Sequence, residues 1–73
     1  MARNPGLEEL VKDIQDRYGI IVHITQLCEL LHVKRTAATG WVHKYGLEES
    51  GRKCHYYSRD IARAMIRAGY RPS

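Results

Sequence analysis

The chain has 73 residues, with 12 Lys or Arg against 8 Asp or Glu and an isoelectric point near 9.3. That length accommodates one small domain, 1–73, with an economical core, because a chain this short buries only about 60% of its unfolded surface. The longest apolar run is three residues, against about 20 for a membrane span and about 7–15 for the apolar stretch of a signal peptide, so neither is expected. Two cysteines are too few for a disulfide framework, which points to a reducing, cytoplasmic setting.

The net charge of +4 is unevenly distributed. Residues 1–33 hold Arg3, Lys12 and Arg17 against Glu8, Glu9, Asp13, Asp16 and Glu29, a net of −2. Residues 34–73 hold nine basic side chains against Glu48, Glu49 and Asp60, a net of +6. A basic half on a small domain is the electrostatic footprint of a polyanion binder, although a solvated basic surface has the same composition.

Asn4-Pro5 opens a first helix, with Asn as N-cap and Pro at the first helical position. Leu7, Leu10, Val11, Ile14 and Tyr18 then form one apolar stripe at helical spacing. Glu8, Glu9, Lys12, Asp13 and Asp16 lie opposite it, and Gly19 terminates the helix. Ile20 to His23 is β-branched and short, an extended connector or a brief strand. Thr25 is expected to cap a second helix, which buries Leu27, Leu30 and Leu31.

His32-Val33-Lys34 interrupts the pattern before a third helix from about Arg35 to Lys44, ended by Tyr45-Gly46. Leu47 to Ser50 is expected to be extended, Ser50-Gly51-Arg52-Lys53 to form a hairpin turn and Cys54 to Tyr57 a return strand. Ser58 is expected to cap a last helix that turns Ile61, Ala64, Met65 and Ala68 inward, closed by Gly69 and Pro72.

Two short helices around a three-residue turn are the frame of a helix-turn-helix. Leu27, Leu31, Val33, Ala38 and Trp41 make a consistent buried set, with Cys28 as a small hydrophobe where the helices cross. That register leaves Arg35, Thr36, Thr39, Gly40 and His43 on the outer face of the third helix, with Lys34 and Lys44 at its ends. Short polar and cationic side chains on such a face suit the major groove. Gly40 in mid-helix costs about 1 kcal/mol relative to Ala. A close backbone approach to DNA or to another helix would give it a use.

The stretch Ile24-Thr-Gln-Leu-Cys-Glu-Leu-Leu-His-Val-Lys-Arg-Thr-Ala-Ala-Thr-Gly-Trp-Val resembles the helix-turn-helix of the MerR-like and excisionase-like winged-helix families. Gly51-Arg-Lys-Cys-His-Tyr-Tyr-Ser-Arg-Asp-Ile resembles their wing and following helix. The likeness covers residues 24–69 and leaves the first helix, about 5–18, outside it. His32 stands where those families place Gly, and Lys34 where they place a Ser or Thr cap.

The resemblance implies a mainly α winged helix-turn-helix of about four helices plus a two-stranded β-hairpin wing. It also implies a small bacterial or phage protein that binds double-stranded DNA in the bacterial cytoplasm, without a small-molecule effector domain. Arg52 and Lys53 at the wing tip, and Arg59 at the start of the last helix, are then phosphate candidates. By the same resemblance Tyr57, rather than Tyr56, is the buried member of its pair.

Other chemistry finds little footing. Cys28, His32, Cys54 and His55 match no zinc-ligand spacing, so neither a metal nor another cofactor is expected. No nucleophile–base pair and no Gly-rich phosphate loop is present, so the chain is not read as an enzyme. Single-stranded RNA would require an exposed aromatic platform. The alternative of another class is a protein-interaction module, in which the first helix mediates self-association or docks a recombinase or packaging partner and DNA affinity is only nonspecific.

Overall fold

Four helices and a two-stranded antiparallel sheet form residues 5–69, the part of the chain described by a computed structural model. In chain order they are α1 (Pro5–Tyr18), β1 (Ile21–His23), α2 (Ile24–Leu31), α3 (Arg35–Lys44), β2 (His55–Tyr57) and α4 (Ser58–Arg67). The expected caps Asn4 and Pro72 lie outside the described residues. Among the described residues, no helix is long and apolar enough to cross a membrane.

The apolar stripe of α1 turns Leu10, Val11 and Ile14 into the core, with Leu7 and Tyr18 packed at its margin. The helix lies mainly against α4. Gly19 ends it at φ +93, a left-handed conformation that is costly for a residue with a Cβ, and its N–H donates to the Gln15 carbonyl at 2.8 Å.

The sheet joins segments far apart in the chain. β1 pairs with β2 in the register Ile21↔Tyr57, Val22↔Tyr56 and His23↔His55. The Ser58 N–H donates to the Ile20 carbonyl at 2.8 Å, and the Ile24 N–H to the Cys54 carbonyl at 2.9 Å. The expected two-stranded hairpin around residues 50–53 is therefore not formed. The strand at 55–57 spends its ladder on β1, and the preceding segment contributes a single bridge, Glu49↔Tyr56.

Strand alternation places Val22 and Tyr56 on the core side. Tyr56 is 8% exposed and Tyr57 44%, so the expectation for this pair is reversed. Pairing with the buried Val22 fixes which ring goes inside.

The start of α2 also differs from expectation. His23, not Thr25, is the N-cap: its Nδ1 accepts the Thr25 N–H at 3.1 Å, and its own N–H donates to Gln26 Oε1 at 3.0 Å. The strand runs into the helix without a connector, so the last strand residue does the capping. At the other end His32 adopts φ 57, ψ 46, and its N–H donates to the Glu29 carbonyl at 3.3 Å. Lys34 caps α3 without a side-chain hydrogen bond.

Leu27 and Ala38 are fully buried where α2 faces α3, while Cys28, Leu30 and Leu31 are half-buried. Val33, expected inside, is exposed. On α3 the buried pair is Ala38 and Val42, four residues apart. Trp41, expected in the core, is only half-buried on its edge, with its ring centroid 5.1 Å from that of Tyr45.

On α4, Ile61, Ala62, Ala64 and Met65 are buried, whereas Ala68, expected inward, is exposed in the last turn. Ser58 is not the cap. It is the first residue of α4 and buried, and its hydroxyl has no hydrogen-bond partner among the described residues. Tyr57 holds the N-cap position with no side-chain bond.

Candidate nucleic-acid interface

The outer face of α3 is set by the inward turn of Ala38 and Val42. Lys34, Arg35, Thr36, Thr39, Gly40, His43 and Lys44 are all exposed on or beside it. The Thr39 hydroxyl donates to the Arg35 carbonyl at 2.9 Å, which leaves its methyl and oxygen lone pairs facing outward. A Cβ added at Gly40 would meet nothing within 4 Å. Close packing within the described chain therefore does not explain this glycine.

The loop between α3 and β2 brings a second basic element to this face. A groove is lined by Thr39, Val42 and His43 from α3 and by Glu48, Glu49, Arg52 and Lys53 from the loop. Thus Thr39 and His43 share one concavity with Arg52 and Lys53, which lie 9 to 14 residues further along the sequence.

The loop is held in place by short contacts. Glu49 Oε2 accepts the Cys54 N–H at 2.6 Å, the Ser50 N–H donates to the His55 carbonyl at 2.8 Å, and the His55 N–H donates to the Arg52 carbonyl at 3.1 Å. Gly51 supplies φ +95 at the bend, and Cys54 adopts φ 64 at its exit. Burial pushes the Tyr56 phenol above its ordinary pKa, and the Glu49 carboxylate and Cys54 thiol add to the effect.

The remaining candidate residues are placed elsewhere. Arg35 Nη2 lies 3.9 Å from Cys54 Sγ, at the edge between α3 and the loop. Thr36 and Lys34 border a separate shallow hollow with Cys28, Glu29, His32, Val33 and Ala37. The Lys44 ammonium lies 5.5 Å from the Tyr45 ring centre. Arg59 pairs with Glu8 of α1 at 3.3 Å, a contact between α4 and the acidic face of α1.

The other ion pair among the described residues is Arg17–Asp13. Lys34, Arg35, Lys44, Arg52 and Lys53 are therefore exposed cations without a carboxylate partner among those residues.

Sequence reasoning missed Glu48, Glu49 and Val42 as part of this groove. Val42 had a signal, since it lies four residues after Ala38 on the same helical face. The two glutamates had none, because their place depends on the path of the loop. Comparison with family models, with curated proteins and with solved structures finds no match to this chain.

Proposed function

We propose that the protein binds double-stranded DNA in a sequence-dependent way, with α3 in the major groove and the 50–54 loop acting as a short wing on the adjoining backbone. The reading rests on one observation: Thr39 and His43 of α3 share a groove with Arg52 and Lys53, cations without a carboxylate partner among the described residues. A helix is about 10–12 Å across with its side chains, which matches a major groove about 12 Å wide. Short polar side chains on its exposed face meet base edges, and loop cations meet phosphates.

On this reading α2, the turn at His32–Lys34 and α3 act as a helix-turn-helix, and the loop with β2 as a reduced wing. Glu48 and Glu49 in the same groove oppose phosphate, so they disfavour a nonspecific seat on the backbone. The role that fits such a module is a small regulator or an excisionase-like architectural factor. The competing use of α1 as a docking helix is less favoured, because its apolar stripe is occupied by this chain's own core.

A salt titration of duplex binding tests the proposal. Neutralising several phosphates makes log K fall linearly with log salt, by about 0.9 per phosphate. Affinity that hardly changes with salt would reject DNA binding through this face.

A further inference from the structure

Two cations of the molecule meet on one aromatic ring. The Lys44 ammonium lies 5.5 Å and the Arg67 guanidinium carbon 5.9 Å from the centre of the Tyr45 ring, whose other neighbour is Trp41 at 5.1 Å. Cation–π contacts of this kind hold long side chains in place. Lys44, Arg67 and the nearby Arg63 are exposed and form no ion pair among the described residues. Arg59, the first arginine of α4, is spent on Glu8.

The cluster lies on the far side of α3 from the groove already described. At about 100° per residue, Thr39 and His43 turn to one side of the inward Ala38 and Val42, and Trp41 and Tyr45 turn to the other. The neighbours on each side agree with this. Thr39 and His43 share their groove with Arg52 and Lys53, whereas Tyr45 lines a hollow with Asp60, Arg63 and Arg67 of α4. Thr36 and Gly40 form the exposed ridge between the two flanks.

We infer that Lys44 and Arg67 grip the DNA backbone on the wall of the major groove opposite the wall met by Arg52 and Lys53. The inference rests on the DNA-binding reading above and extends it. A helix in the major groove has a phosphate strand on either side, and the loop supplies cations for one of them. Lys44 acts as a point charge and Arg67 as a planar pair of donors. Tyr45 orders both before DNA arrives, which lowers the entropic cost of the contact. Glu48 and Asp60 line the same hollow and repel an anion from its interior, so the phosphate is met at the ring and not inside. Continuity with the exposed ridge of α3 favours DNA over an acidic protein as the partner.

The test is the salt dependence of duplex binding by the full chain. One phosphate contact contributes about 0.9 to the slope of log K against log salt, or about 8-fold in affinity at about 0.1 M salt. Lys44→Gln combined with Arg67→Gln should lower the slope by at least that amount, while Arg67→Lys alone should keep it. Arg59→Gln removes the same charge from α4 and should leave the slope unchanged. Adding Arg52→Ala and Lys53→Ala should sum the decreases, because opposite walls carry different phosphates. Melting temperatures are recorded alongside, and Lys44→Gln alone, at an exposed position, carries the same test if the double variant loses its fold.

An unchanged slope in the Lys44 and Arg67 variants, an equal fall in Arg59→Gln, or decreases that do not sum overturns the inference while DNA binding stands. A polyglutamate peptide is titrated in parallel. Peptide binding that needs Lys44 and Arg67, with the duplex slope unchanged, overturns the DNA backbone as partner and assigns the cluster to an acidic protein. Absence of duplex binding by the wild type overturns the inference together with the reading beneath it.

Discussion

The guanidinium of Arg35 meets the sulfur of Cys54 at 3.9 Å and so joins the first turn of α3 to the exit of the 50–54 loop. Cys54 itself sits at φ 64, a conformation that costs a residue with a side chain about 1–2 kcal/mol. Its N–H is bound by Glu49 at 2.6 Å. The strained residue is thus contacted from α3 and from its own loop.

Gly40→Ala separates the two uses of that glycine. Nothing in the described chain lies within 4 Å of the added Cβ, so the helix should gain about 1 kcal/mol of stability. If the α3 backbone approaches DNA closely at this point, the same variant should bind its site more weakly. Denaturant unfolding and duplex titration on one sample measure both effects. Greater stability with unchanged affinity would remove Gly40 from the interface.

Arg52→Ala combined with Lys53→Ala should leave the melting temperature almost unchanged, since both side chains are exposed and unpaired among the described residues. Each lost phosphate contact should lower the slope of log K against log salt by about 0.9, with a similar loss for every sequence. An unchanged slope would mean that α3 docks without the wing.

Core substitutions should rank by burial. Ile61 is fully buried, so Ile61→Ala should cost roughly 2–5 kcal/mol, enough to unfold much of a domain this small. Trp41 is half-buried on the edge of α3, so Trp41→Ala should cost less despite the larger side chain. Thermal melts of the two variants decide the order, and a reversed order would place the indole at the centre of the packing.

Tyr56 links stability to alkaline pH. Burial, then the Glu49 and Cys54 charges, raise its pKa above the ordinary 10.0, so the folded chain holds the phenolic proton more tightly than the unfolded chain. That contribution is whole below pH 10.0 and is lost as pH rises through the folded value. Denaturation midpoints should therefore fall as pH rises above about 10, and fall less in Tyr56→Phe. Parallel curves for the two proteins would contradict the burial argument.

The helices were legible because their signals are local. The stripe from Leu7 to Tyr18 marked α1, and the interval between His32-Val33-Lys34 and Tyr45-Gly46 marked α3, with the ends the structure shows. Capping was less legible. His23 lies at the end of a strand, and its role depends on β1 running directly into α2. The sheet was misread because local turn chemistry favours a hairpin at 50–53, whereas β2 pairs with β1 across 31 intervening residues. The inversion of Tyr56 and Tyr57 follows from that register. The exposed α3 residues could be named from helical spacing, but the groove they share with Arg52 and Lys53 depends on a loop path that no spacing encodes.

The central claim is that the exposed face of α3 reads DNA sequence, and selection from a pool of random duplexes tests it most directly. A site recovered from the pool should be bound far more tightly than unselected duplex. Arg35→Ala or Thr39→Ala should cost roughly 1–3 kcal/mol on the selected site and much less on random DNA. Failure to enrich any sequence, or an equal loss on both DNAs, would contradict the account.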